Sequence, residues 1–293
     1  MSRNEERPTR APFHSPAEPT PPPGEPDVRS GAPAAPPAKQ ESLLGGLLSE
    51  RSAARAFVSG WISDPLAREL RRGIITAFAM GFSLPYLRLF NQVQVEGDGI
   101  IDDLPPRGVV FLSNHQTYFL EAIAFFDLVY VRHALPLDRP VLRFSAAEET
   151  MRRSPLTWIM KLAGGVTVRR RFREAGRSVT RPVDLEGVAR IIDAIRTGWL
   201  LHFPTGTTHH RAPVRPGVAR LLHDSRPTVV PVRVDGFRRL LLLRQVPGRM
   251  FRRCRIRVRP PLDLAAFYAA PLTDEAEADV VRRIQDAISP LPG

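Results

Sequence analysis

The sequence predicts an α/β fold, a mostly parallel central sheet flanked by helices, with an apolar helical segment ahead of it. Two observations carry this. From Asn91 onward, short β-rich runs alternate with segments of helical periodicity, the pattern of strands joined by crossover helices. Polar clusters directly follow three of those strand runs, at the strand ends where open α/β sheets gather their sites. With 293 residues, 43% of them hydrophobic, the chain can bury one large core, and no internal repeat or second domain of comparable size is visible.

In chain order, the first 45 residues read as a disordered tail. Eleven of the 30 prolines fall in residues 1–40, among Ala, Glu and Gly, with too few large apolar residues to offset chain ordering. Phe57 to Leu70 reads as an amphipathic helix. Gly73 to Phe90 is the most apolar stretch, about long enough to cross a bilayer, but Gly81, Pro85 and Arg88 interrupt it and Arg68, Arg71 and Arg72 precede it. It reads as an interfacial anchor lying in one leaflet, or as a helix packed on the protein's own core. Strands are expected at 92–95, 108–112, 141–144, 166–168, 199–203, 228–234 and 254–258. Helices are expected at 117–132, 151–162, 183–196, 218–223 and 275–288. Domain boundaries follow: a tail over 1–45, a membrane-associating segment over 46–90 and the α/β domain over 91–293.

Charge narrows the partners. The formal net charge is +12. The first fifty residues carry five Lys/Arg and seven Asp/Glu, a net of −2, which leaves +14 on residues 51–293. That excess calls for an anionic partner such as phospholipid head groups or a phosphorylated substrate. Only Lys39 and Lys161 are lysines, so the cations are guanidiniums, which suit bidentate phosphate contacts and also mark a GC-rich genome. Nucleic acid is not expected. Arg253, Arg255, Arg257 and Arg259 alternate with Cys254, Ile256 and Val258 as one basic strand face, but no aromatics interleave for base stacking. One cysteine, Cys254, excludes an intramolecular disulfide. No secretory signal peptide is apparent, and there is no P-loop, no nucleophile elbow and no dinucleotide fingerprint.

Three clusters hold chemistry. The first is Ser113-Asn114-His115, with Glu121 six residues beyond His115, all set among apolar runs. Within one regular helix, six residues would separate the two side chains by about 240°. They can meet only if His115 lies in the turn before the helix and folds back over it, which Asn114 allows as a turn and cap residue. The pair is then either a catalytic dyad or a satisfied core histidine. The second cluster is Gly164-Gly165-Val166-Thr167-Val168-Arg169-Arg170, where Arg169 and Arg170 could clamp a phosphate or form a solvated strand end. The third is Phe203-Pro204-Thr205-Gly206-Thr207-Thr208, whose hydroxyls and amides make an anion-friendly turn. His209 and His210 lack further ligands at metal spacing, so no metal site is expected.

In this order, and followed by Val229-Val230-Pro231-Val232 and by Arg259-Pro260-Pro261-Leu262, the clusters resemble the four-block pattern of the glycerolipid acyltransferases, the 1-acylglycerol-3-phosphate O-acyltransferase family, over about residues 90–262. The resemblance implies a membrane-associated acyltransferase at the cytoplasmic face of the cell membrane, peripheral or monotopic. It would move a fatty acyl group from acyl-CoA or acyl-carrier protein to a lysophosphatidic acid-like lipid, with no cofactor beyond that co-substrate. It implies His115 as general base, Glu121 as its orienting acid, and Asn114, Arg169, Arg170, Thr205, Gly206, Thr207 and Thr208 as substrate-binding residues. Pro231 would shape a strand end. Two departures stand out. The family's usual Asp, five residues after the histidine, is Leu120 here, with Glu121 next. The usual Phe-Pro-Glu-Gly-Thr-Arg has Thr205 for its Glu and Thr208 for its Arg. The same residues also fit a catalytically degenerate relative that binds lipid or membrane.

Overall fold

The computed structural model describes residues 73, 76–132, 142–148, 164–169, 184–209, 212–243 and 246–289, all within the compact unit Val58–Gly293. The expected tail, the helix at Phe57–Leu70 and the helix at Met151–Leu162 lie outside the described residues.

Seven strands form one sheet in the order β1 (Val93–Glu96), β9 (Cys254–Val258), β6 (Thr228–Asp235), β2 (Val109–Ser113), β5 (Trp199–His202), β3 (Leu142–Ala147) and β4 (Gly165–Val168). Strands β6, β2, β5, β3 and β4 pair in parallel. Strand β9 is antiparallel to β6 and parallel to β1, so this edge pair runs opposite to the other five. The mostly parallel expectation holds, and β2 lies in the middle.

Alternation along the strands sorts side chains to two faces. Val109, Phe111, Trp199, Leu201, Val230, Val232 and Val234 join one core, and Val110, Leu112, Leu200 and Val229 join the other. The first core is covered by helices α1 (Ala79–Phe90), α2 (Leu120–Phe126) and α3 (Asp127–Arg132). The second is covered by α4 (Leu185–Thr197), α5 (Gly217–Ser225), α6 (Ala265–Ala269) and α7 (Asp274–Ile288). Local chemistry sets the helix starts: Asp184 caps α4 through Gly187 N, and Thr273 caps α7 through Ala276 N.

The apolar segment resolves partly toward the core. Helix α1 has π-type winding, and its Tyr86 and Leu87 are buried in the first core. Phe78, Phe82 and Tyr86 form a ring ladder at four-residue spacing, with centroids 5.3 and 5.0 Å apart. Asp127 of α3 accepts from Ser83 Oγ and from Arg88 Nε, each at 2.9 Å. Arg88 therefore pairs with a nearly buried carboxylate of the chain itself, while Met80 and Leu89 stay exposed. Among the described residues no helix is long and apolar enough to cross a membrane.

Other differences have local causes. The single helix expected over 117–132 starts only at Leu120, because the Thr117 hydroxyl accepts from Leu120 N at 3.0 Å and holds the preceding residues as a turn. Pro231 lies inside β6 rather than at its end, beside the point where β9 stops pairing at Val258, so its missing N–H leaves the ladder intact. The basic face of β9 is ion-paired: Glu96 takes Arg255 at 3.0 Å and Arg257 at 2.7 Å. Sequence reading missed α6 and the short antiparallel pair β7 (Leu241–Leu243) and β8 (Val246–Pro247).

Candidate active site

Three parallel strands side by side, β6, β2 and β5, bring their carboxyl ends together at the centre of the sheet. The chain leaving β2 carries Asn114 to Phe119, and the chain leaving β5 carries Phe203 to Thr208. The first and third sequence clusters therefore meet on adjacent strands.

The loop after β2 is fixed by side-chain amides. Asn114 Nδ2 donates to Val234 O at 2.8 Å, and Val234 N donates to Asn114 Oδ1 at 2.7 Å. Gln116 Nε2 also donates to Val234 O at 2.9 Å, and Gln116 Oε1 accepts from Phe237 N at 2.9 Å. The chain is thereby pinned to the end of β6 on both sides of His115.

His115 sits in this turn, ahead of α2, and Glu121 reaches back from the first turn of that helix. Glu121 is 1% exposed. Its Oε1 accepts from the backbone amides of Gln116 and Thr117, and its Oε2 accepts from the Thr117 hydroxyl. These donors hold a buried carboxylate in place. His115 Nδ1 is 3.8 Å from Glu121 Oε1, beyond hydrogen-bond distance. This nitrogen is buried and has no hydrogen-bond partner among the described residues. On the other side, the imidazole stacks on Phe203 of the third cluster, with centroids 4.2 Å apart and planes 24° from parallel. The extra residue between His115 and Glu121 is taken up in the Thr117 turn, and the Glu121 carboxylate ends 3.8 Å from the ring.

A pocket opens over His115. Asn114, His115, Gln116 and Thr205 line it from the strand ends, and Gln285, Ile288 and Ser289 close it from the end of α7. In the third cluster Gly206 adopts φ +63°, and a Cβ there would meet Arg215 Nε at 2.9 Å. Arg215 Nε donates to Thr205 O at 3.1 Å, Thr205 Oγ1 donates to Thr207 O at 3.0 Å, and Arg238 donates to Thr208 O. Arginines from two other elements thus gather at a turn that lacks the arginine expected of its own sequence block.

The second cluster stands apart. Arg169 follows β4 at the sheet edge, three strands from β2. Its Nε pairs with Glu148 at 2.8 Å and its backbone N donates to Asp184 at 2.8 Å. It does not line the pocket. Arg170 lies outside the described residues.

Two other reactive groups are removed from contention by burial. Cys254 is pushed up to about 12 and is no nucleophile at neutral pH. His202, the last residue of β5, is lowered to about 4 by burial, and its Nδ1 is shared with Ser145 Oγ at 2.8 Å. Among the described residues no cluster of three His, Cys, Asp or Glu could hold a metal ion.

Sequence reading found His115, Glu121, Asn114 and the third turn, which the structure brings together. It missed Gln116, Thr117, Phe203, Arg215 and Arg238, whose contacts depend on which strands lie side by side. Phe203 was visible as the head of its cluster, but nothing in the sequence announced its stacking.

The family model described as Acyltransferase matches residues 92–235, the stretch from β1 to the end of β6 that contains all three clusters. The chain belongs to the acyltransferase family. Among solved structures it is similar to the 1-acyl-sn-glycerophosphate (LPA) acyltransferase PlsC from Thermotoga maritima, at 18% identity and a TM-score of 0.46, over 83% of this chain and 85% of that one. No curated protein matches it. The family match ends at Asp235, so the hairpin β7–β8 and helix α7, which closes the pocket at His115, lie beyond it.

Proposed function

We propose that this acyltransferase moves a fatty acyl group from an acyl thioester, acyl-CoA or acyl-carrier protein, to the hydroxyl of a lysophosphatidic acid-like lipid, working at the cytoplasmic face of a membrane. The observation that carries the reading is His115 at the end of the central strand, 3.8 Å from the Glu121 carboxylate and lining a pocket that Thr205 of the third cluster also lines.

Glu121 holds the Nδ1 side of the imidazole and leaves Nε2 for the pocket. Nε2 takes the proton from the acceptor hydroxyl as its oxygen attacks the thioester carbonyl carbon. The tetrahedral intermediate collapses with cleavage of the C–S bond, and the imidazolium returns its proton to the departing thiolate. The nucleophile is the substrate's own oxygen, so no enzyme serine is required, and Glu121 orients the base as the acid of a catalytic triad does. Phe203 stacks against the ring and limits its rotation. Asn114 and residues Thr205 to Thr208 bind the acceptor, and Arg169 and Arg170 supply charge for its phosphate. Segment 46–90 holds the domain at the lipid surface.

The test is transfer of a labelled acyl group to a panel of lysophospholipids. His115→Ala should lose about a thousandfold or more in kcat while keeping its fold. Full turnover by His115→Ala would refute the base assignment. Lipid binding without transfer from any donor, in wild type and variant alike, would instead identify a degenerate, binding-only relative.

A further inference from the structure

We infer that strands β7 and β8 and the loop after them, residues 241–243 and 246–253, form a docking surface for an anionic lipid bilayer. This rests on the membrane part of the proposed function and gives it a second contact surface, and its test reads binding alone.

Composition and exposure coincide here. Residues 236–262 contain nine arginines and no Asp or Glu. Leu242 is 56% exposed, Met250 45% and Phe251 82%, the highest among the exposed large hydrophobic side chains of the described residues. Leu89, 69% exposed, is on α1 one residue before Phe90. These two segments are fastened together. Phe251 N donates to Phe90 O at 2.9 Å, and the two rings meet edge to face at 6.4 Å. Asn91 donates to Arg249 O at 3.2 Å and accepts from Arg252 N at 3.1 Å. Tyr86 OH accepts from Gly248 N at 3.0 Å. The loop is thus held in place while its side chains stay outside.

Phe251 has φ +59°, a left-handed conformation that costs a bulky residue energy. The strain is held by the Phe90 and Asn91 hydrogen bonds, and its result is an aromatic ring in solvent. The arginines differ from those of β9. Arg255 and Arg257 are paired with Glu96, whereas Arg249, Arg252 and Arg253 have no ion pair among the described residues. Unpaired guanidiniums beside exposed Phe, Met and Leu match a bilayer interface, where cations meet lipid phosphates and apolar side chains enter the acyl boundary. A nucleic acid would engage the arginines and leave Leu89, Leu242 and Met250 in water. The surface is also continuous with the pocket: Gln116 holds Phe237, and the turn Phe237–Leu240 runs directly into β7.

The test is flotation of the full chain with vesicles of phosphatidylglycerol and phosphatidylcholine, against vesicles of phosphatidylcholine alone. Wild type should float with the anionic vesicles. Phe251→Gly, which accepts the positive φ, should weaken partitioning about tenfold, and the triple variant Arg249→Gln/Arg252→Gln/Arg253→Gln about a hundredfold. Leu185→Ala, which removes an exposed hydrophobe from α4, should bind as wild type does. If Phe251→Gly fails to fold, as judged by thermal unfolding, Phe251→Asn takes its place. Wild-type partitioning by both folded loop variants would overturn the inference. So would equal wild-type binding to neutral and anionic vesicles, or loss of duplex DNA binding in the arginine variant with vesicle binding unchanged. Absence of acyl transfer would bear on the proposed chemistry only.

Discussion

Two loops leave neighbouring strands at the centre of the sheet, and they are held in opposite ways. The loop after β2 is fixed at its tip: Asn114 and Gln116 bond to the end of β6, and a buried carboxylate gathers the amides of Gln116 and Thr117. The loop after β5 is fixed at its root by half-buried His202, which shares a hydrogen bond with Ser145, while its outer turn is braced by the long side chains of Arg215 and Arg238. The base proposed in the first loop would need fixed geometry to transfer a proton, whereas a turn proposed to select the acceptor could vary. The departures from the family pattern follow this division. In the first loop, the acid falls one residue later, and Thr117 and the backbone amides hold its carboxylate 3.8 Å from His115. In the second, Glu and Arg are replaced outright, and guanidiniums arrive from elsewhere.

The largest expected effect, after loss of His115, probes the root of the second loop. His202 folds with a pKa of about 4 against an ordinary 6.5, so below pH 6.5 the unfolded chain binds a proton that the folded chain refuses. Stability is full above about 6.5 and is lost as pH falls toward 4, by about 3 kcal/mol from this residue. Chemical denaturation from pH 7 to pH 4 should show the slope, and His202→Asn should flatten it. An unchanged slope would mean that the root is not held by a dry imidazole.

The second effect concerns the tip. Glu121→Gln keeps the size of the side chain but sets an amide N–H₂ among donors that already fill the site. A fall of about thirtyfold in kcat, with KM for the acceptor little changed, is expected from steady-state kinetics. If KM moved and kcat did not, Glu121 would belong to binding.

The smallest effect tests the adaptable turn. Gly206→Ala imposes a side chain at φ +63°, against the movable end of Arg215. The expected cost is about 1 kcal/mol in denaturant unfolding, with acceptor KM raised and kcat near wild type. A matching collapse of kcat would erase the distinction between the loops.

Much of the sheet was legible because period-two apolar runs bounded by turn residues are local signals. Strand Cys254–Val258 was read to the residue, and most others within one or two. The hairpin at β7–β8 was not legible, since an unbroken leucine run followed by arginine carries no alternation to betray it. The helix at 117–132 was overextended, because apolar spacing continues through Thr117 while its hydroxyl, invisible to periodicity, caps Leu120. His115 and Glu121 were legible as polar residues in apolar text. The amide clamp was not, because Asn114 and Gln116 find partners about 120 residues away, and only the placement of β6 beside β2 makes those partners. Arg169 was read for its charge, and its neighbours Glu148 and Asp184 come from sheet order in the same way.

Asn114 presents to Val234 one donor and one acceptor, the pair of groups that a backbone peptide would present. The side chain is a splice: β2 gains a rung against β6 without spending a residue on it. The main chain, freed of that duty, can leave the sheet one step early and swing His115 over the rim rather than into the layer. Aspartate has the same outline but lacks the donor, and serine is too short to reach both groups. The position therefore tolerates an amide of this length, and the reach of the imidazole is set by the neighbouring side chain's grip on the adjacent strand.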